Sequence, residues 1–294
     1  MSVTIEPKMS ATQLGDWSAC RLRWYFGYGL RYRPLARNAA FDLGVGIHEA
    51  LAEFYKRGKD PVAVFEKWVD SEIRKVAVLM EAGGDLSRLA LEHDMESLGE
   101  NRKLGRDMLE GYLMRYGKDR LEVLAVEKQV LKPIPGTDWT FDARLDGLVR
   151  DGRRRNHILV LEHKSYSQLQ PAYLERDPQF VAYKWCAQDL TDEPVAGVLW
   201  NGLRKQLATS KSRLDRYERH VLDINDRQVE LLMKRLRAVI EELTVGKFKL
   251  YPEPGTMTCS YCAFKDPCML FCKGGDWRFA LENAYEIKPD RTEP

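Results

Sequence analysis

The sequence predicts an α/β fold: a central mixed sheet flanked by helices, preceded by a helical N-terminal region and followed by a short cysteine-rich segment. Three observations predict it. Apolar residues recur at helical spacing through the first 120 residues. From Leu121 the period changes to strand-like alternation, interrupted by one helical stretch. After Tyr251 the chain turns to Pro, Gly and Cys. With 44% hydrophobic and 31% charged residues, a packed core is available and wholesale disorder is excluded. Lys and Arg total 46 against 44 Asp and Glu, which excludes a polybasic tail but leaves room for one basic groove.

The elements follow in order. Residues 10–32 read as one helix, with Ser10 and Gln13 as a capping box and Pro34 as its stop. A second helix is expected over 44–56, a third from Pro61, and a fourth over 85–116. Strands are expected over 121–131, 139–149 and 158–161, the last a buried apolar run. A helix over 177–189, strands over 195–203 and 217–224, and a long helix to Thr244 capped by Asp223 or Asn225 complete the core. There is no internal repeat or low-complexity linker. We therefore expect one domain over 1–294 with a helical insertion at 60–120, not two independent domains. No apolar run approaches the ~20 residues needed to cross a bilayer, and the start lacks an apolar signal stretch. A cytoplasmic protein without membrane partners is expected, and its six cysteines then favour metal binding over disulfides.

The chemistry-bearing residues begin with a predicted hairpin, Phe141 to Lys164. Asp146 lies late on one strand, and Glu162 and Lys164 end the next. Residues two apart on a strand share a face, so Glu162 and Lys164 project together and Asp146 can stand beside them. Two carboxylates at strand ends suit Mg²⁺ or Mn²⁺, and a lysine there can position an attacking water. An ordinary surface ion pair is the alternative, since near-matches occur at Glu66-Lys67 and Glu127-Lys128. His48, in Gly44-Val-Gly46-Ile-His48 near a helix start, adds an imidazole that suits Mn²⁺. Gln179 and Tyr183 lie four apart on one helix face.

Cys259-x2-Cys262-x5-Cys268 follows the last strong helix. Thiolates at this spacing converge on a metal or cluster, with a fourth ligand from Cys272 or from distant Cys20. Cys186, within a predicted helix, reads as a core thiol.

Taken in order, a Cys in an aromatic N-terminal helix, Gly-x-x-x-His, a lone strand Asp, Glu-x-Lys, Gln-x-x-x-Tyr and Cys-x2-Cys-x5-Cys resemble the RecB-like branch of the PD-(D/E)XK nucleases. The iron–sulfur members, namely the AddB nuclease domain and the small CRISPR-associated nucleases, are the most similar. The resemblance spans Cys20 to Cys268 and implies a restriction-endonuclease-like core. It implies His48, Asp146 and Glu162 as metal ligands, with the His163 main-chain carbonyl as a further one, and Lys164 as the catalytic lysine. Gln179 and Tyr183 would contact the site or DNA. Cys20, Cys259, Cys262 and Cys268 would hold a 4Fe–4S cluster, with residues 251–272 closing onto the N-terminal helix at Cys20. Leu145 replaces the superfamily's nominal Pro, as is usual in this branch, and Ala143 replaces a frequent Gly.

The activity so implied is metal-dependent cleavage of DNA, as an exonuclease on single strands or ends, in recombination, repair, or phage or CRISPR DNA processing. A non-catalytic DNA-binding scaffold on the same fold is the alternative. Candidate DNA contacts are Arg21, Arg23, Arg31 and Arg33, then Arg153, Arg154 and Arg155, and Arg204, Lys205, Lys211 and Arg213. The chain carries no G-x-x-x-x-G-K-[ST] loop, so unwinding would fall to a helicase or recombination partner.

Overall fold

The computed structural model describes residues 5–35, 39–82, 85–154, 156–168, 171–209, 215–246 and 249–288. In chain order the elements are β1 (Lys8–Met9), α1 (Ala11–Ala19), α2 (Arg21–Trp24), a π-helical turn (Tyr25–Gly29), β2 (Tyr32–Pro34), α3 (Ala39–Arg57), α4 (Pro61–Ala82) and α5 (Asp85–Tyr116). There follow β3 (Leu121–Pro133), β4 (Thr140–Asp151), β5 (His157–Tyr166), α6 (Pro171–Leu174), α7 (Pro178–Ala187), β6 (Val195–Arg204), β7 (Tyr217–Asp223) and α8 (Asp226–Val245). The chain ends with α9 (Thr256–Ser260), α10 (Lys265–Cys272), α11 (Trp277–Ala284) and β8 (Tyr285–Ile287). This is the mixed sheet with flanking helices that the sequence predicts. Lys211, Arg213 and Arg155 lie outside the described residues. The chain divides into two compact units, Met1–Arg37 with Leu131–Asp142 and Glu230–Pro294, and Asn38–Val130 with Ala143–Val229.

The second unit carries β5, β6, β7 and most of β3 and β4. β4 and β5 pair antiparallel, β5 and β6 parallel, and β6 and β7 antiparallel. A parallel pair requires a crossover, and α7 supplies it between β5 and β6. Asp177 caps α7 by accepting from the Gln179 amide at 2.9 Å, and Pro178 opens the helix. On one sheet face Leu159 and Leu161 pack with Val149 and Leu199. The three long helices form a second core of Leu43, Ile47, Leu51, Phe65, Val69, Met108 and Leu109.

Phe65 fixes how closely those helices approach. A Cβ on Gly46 of α3 would lie 2.7 Å from its ring, and one on Gly105 of α5 would lie 2.2–2.9 Å away. The small residue before His48 therefore serves a packing need of α3. Gly105→Ala is expected to overpack this slot and cost about 1–3 kcal/mol. A urea midpoint equal to wild type would show that Phe65 can move aside at no cost. Phe65→Leu in the same chain should recover part of the loss.

The first unit departs from the expected single helix over 10–32. Ser10 caps α1, accepting from the Gln13 amide at 3.2 Å. At Cys20 the backbone becomes extended, with φ −167° and ψ 118°, and α2 restarts beyond it. No Pro or Gly causes this break; the tertiary environment does. Cys20 is buried, and its Sγ accepts from the Glu253 amide at 3.3 Å. Pro34 ends a short strand rather than a helix, since β2 pairs antiparallel with β8. Phe26 packs at a tilt against Phe264 and Trp277, with ring centroids 5.7 and 5.4 Å away. In α8 the cap is Asn225, not Asp223. Asn225 and Gln228 exchange reciprocal side-chain to backbone hydrogen bonds, each 3.0 Å.

Candidate metal and catalytic site

The site lies in the second unit, where the paired register of β4 and β5 ends at Gly147–Leu161. Beyond that point the Asp146 side chain takes over. Its Oδ2 accepts from the His163 backbone amide at 2.7 Å, and its Oδ1 lies 3.2 Å from His48 Nδ1. Strand alternation then presents Glu162 and Lys164 together, with Lys164 Nζ 2.7 Å from Glu162 Oε1. From α7, Gln179 Nε2 donates to the same oxygen at 3.3 Å and to Tyr183 Oη at 2.9 Å. His48, Asp146, Glu162, Lys164, Gln179 and Tyr183 thus come together from four elements.

Glu127 of β3 joins them. Ligand atoms of His48, Glu127 and Asp146 lie within 4.8 Å of one another. In the sequence Glu127-Lys128 is only a near form of Glu-x-Lys. Its one distinguishing signal is conformational: Glu127 holds φ +49°, a left-handed backbone that non-glycine residues rarely adopt within a strand. Glu127 also pairs with Arg144 at 2.7 Å.

The electrostatics are those of crowded acids. Glu162 is 2% exposed, and burial together with Asp146 pushes its carboxyl up to about 7 against the pull of Lys164. Burial and Asp146 also raise Glu127. Burial pushes Asp146 up, but His48 and the His163 amide outweigh it and hold it below the usual range. His48 is correspondingly raised, Asp146 overcoming the effect of burial. Lys164 is raised because Glu162 outweighs its desolvation. Among the described residues, Oε2 of Glu162 is buried without a hydrogen-bond partner. The His48 imidazole with the Glu127 and Asp146 carboxylates is a donor set for a hard divalent cation, and Glu162, whose carboxyl is raised by the same Asp146, is not among the three whose ligand atoms lie within 4.8 Å of one another.

The PD-(D/E)XK nuclease superfamily profile matches residues 8–269. The chain belongs to the PD-(D/E)XK nuclease superfamily. Members of this superfamily use divalent metal ions and are as a rule phosphodiester-cleaving nucleases. No curated protein matches the chain. Among solved structures, one titled "Crystal structure of SSO0001" is 14% identical with a TM-score of 0.38, over 90% of this chain and 86% of that one.

Within this PD-(D/E)XK chain the His163 side chain turns away from Glu162, as alternation requires, and lies 2.7 Å from Asn201 Nδ2. No described helix is long and apolar enough to cross a membrane. Of the basic candidates, Arg21 pairs with Glu242 at 3.0 Å, Arg23 with Asp16 at 2.8 Å and Arg33 with Glu286 at 2.7 Å. Arg31 donates to the Lys288 carbonyl at 2.8 Å. Arg153 and Arg154 stand 3.8 and 3.9 Å from Asp119 and Asp151. Arg204 is exposed at the end of β6.

Glu127→Gln is expected to raise the Mn²⁺ concentration needed for half-maximal binding about tenfold, the usual scale for a tuning ligand. Titration of Mn²⁺ by electron paramagnetic resonance measures it. An unchanged curve would make Glu127 only the partner of Arg144.

Proposed function

We propose that the chain is a DNA exonuclease acting on single strands or DNA ends. The observation that carries this reading is the buried, partly unsatisfied Glu162 carboxylate facing Lys164, with Asp146 and His48 acting on it and themselves grouped with Glu127. His48, Asp146 and Glu162 would hold the ion, joined by the His163 carbonyl. A bound Mg²⁺ or Mn²⁺ supplies polarisation of the phosphate and a more acidic water. The chain's own groups do the rest. Lys164 presents an ammonium 2.7 Å from Glu162 and 36% exposed, placed to orient a water and to offset charge gathering on the phosphate oxygens. Gln179 locks the Glu162 oxygen that Lys164 also uses, so one rotamer of each is fixed. Tyr183 anchors Gln179.

The same reading gives the first unit a 4Fe–4S cluster on Cys20, Cys259, Cys262 and Cys268. Backbone amides of Glu253, Gly255 and Phe264 donate to the sulfurs of Cys20, Cys259 and Cys262 at 3.3, 3.5 and 3.4 Å, the kind of bond that steadies cluster thiolates. Burial and neighbouring thiols, Cys272 first, push Cys268 up to about 12. A helicase or recombination partner would deliver the strand, in recombination, repair, or phage or CRISPR DNA processing.

The test is digestion of end-labelled linear single-stranded, linear duplex and circular DNA with Mg²⁺ or Mn²⁺. Loss of linear single strands with circles intact is expected. Cutting of circles would replace the exonuclease reading with an endonuclease. Intact DNA of every form would leave a DNA-binding scaffold.

A further inference from the structure

A row of polar side chains crosses the sheet on the face opposite Glu162. The register pairs His163 of β5 with Asn201 of β6, and Asn201 with Arg219 of β7. Asn201 is fully buried and His163 is 3% exposed. Buried polar groups at this density persist only when mutually satisfied.

The directions of these bonds follow from one end. A guanidinium only donates, and Arg219 Nε donates to Asn201 Oδ1 at 2.8 Å. That fixes the amide: Nδ2 must face the other way, where it meets His163 Nδ1 at 2.7 Å and Tyr112 Oη at 2.9 Å. His163 Nδ1 must therefore accept, so the ring proton sits on Nε2. Tyr112 Oη accepts from both Asn201 and Arg219, the latter at 3.1 Å, so its own hydrogen goes to Tyr55 Oη at 2.6 Å. Arg219 is itself held by Asp119 and lies over the Tyr116 ring.

The row ends at the site. The residue whose ring Asn201 grips is the one whose backbone N–H holds Asp146 Oδ2 at 2.7 Å, and its neighbours in sequence are Glu162 and Lys164. We propose that Asn201, oriented by Arg219, is a positioning residue: it fixes the His163 ring and through it the peptide that aims Asp146, Glu162 and Lys164. The role of that aim rests on the nuclease reading; the tautomer and the ion affinity do not.

Two measurements test it on the full-length protein. Ring ¹⁵N spectra of histidine-labelled protein, with His163 identified by its loss in His163→Ala, should show the Nε2–H tautomer. Asn201→Asp should convert it to Nδ1–H, because the new carboxylate can only accept. Calorimetric Mn²⁺ titration should show Asn201→Ala weakened tenfold to a hundredfold, the scale of outer partners of metal ligands. Adding Asn201→Ala to His163→Ala should weaken binding no further, since the effect runs through that ring. Where wild type cleaves DNA, kcat should fall in Asn201→Asp with KM for DNA unchanged. An Nδ1–H tautomer in wild type overturns the proposal. So does Mn²⁺ affinity in Asn201→Ala within twofold of wild type, or a full further loss in the double variant. If Asn201→Ala does not fold, Asn201→Asp carries both readouts. A wild type that binds Mn²⁺ and shows the expected tautomer but cuts no DNA fails the nuclease reading alone.

Discussion

Glu162→Gln is expected to abolish cleavage and to make the metal-free protein more stable. Loss of an ion-binding charge at the reacting centre should lower kcat by about 10³ or more. The gain in stability comes from the same charge. The Glu162 carboxyl, ordinarily near 4.5, is pushed up to about 7 in the fold by burial and by Asp146. An acid raised in this way costs the folded state only when ionised. The penalty is absent below about pH 4.5, grows through the interval and is complete above about pH 7. Glutamine removes it, worth on the order of 1–3 kcal/mol at pH 8. Lys164 loses its partner but is 36% exposed and can turn to water. Thermal melts at pH 8 should therefore rank the variant above wild type without metal. Saturating Mg²⁺ should raise wild type and leave the variant nearly unmoved, since only a species that binds the ion gains from it. A variant that melts lower without metal would mean that Glu162 is a stabilising ion-pair partner and no strained ligand. Retained cleavage would remove the site.

How much of this was legible beforehand depends on whether the signal is local. The bounds of α5 at Asp85–Tyr116 and the start of α4 at Pro61 follow from period and capping, which neighbouring residues set. The meeting of Asp146 with the Glu162–Lys164 pair follows from strand alternation across one hairpin. Glu127 was not legible. Its strand alternates like any other, and what brings it to His48 and Asp146 is a left-handed backbone at a glutamate, a strain that only the finished fold can hold. The Asn201–Arg219 row needed the register of two further strands, which a one-residue slip would reverse. The break at Cys20 was illegible for the same reason. Nothing in its neighbours stops a helix, and a thiol drawn toward the Glu253 amide does.

That break leads to the second large expectation. Anaerobically purified protein should be brown, with a broad visible absorbance and bound iron and sulfide. Cys20→Ser should lose both the colour and the stability of the first unit. Cys20 and Cys259 are joined by a loop of roughly 240 residues, and cross-linking so long a loop restricts the unfolded chain by about 5 kcal/mol in the chain-entropy account. Without Cys20 the remaining thiolates all lie within the C-terminal segment, and that restriction is forfeited. The melting temperature should then fall by roughly 10–20 °C. Cys272→Ser is the informative control. Cys272 is exposed and stands beyond Cys268, which it contacts, so its loss should leave iron content and colour unchanged. If Cys272→Ser loses iron and Cys20→Ser keeps it, the fourth ligand is Cys272, the cluster is local, and no long loop is closed. In that case Cys20→Ser should keep the wild-type melting temperature, because no cross-link then spans the chain. Stoichiometric zinc without iron would keep the staple and discard the cluster, and Cys20→Ser would still separate a spanning site from a local one.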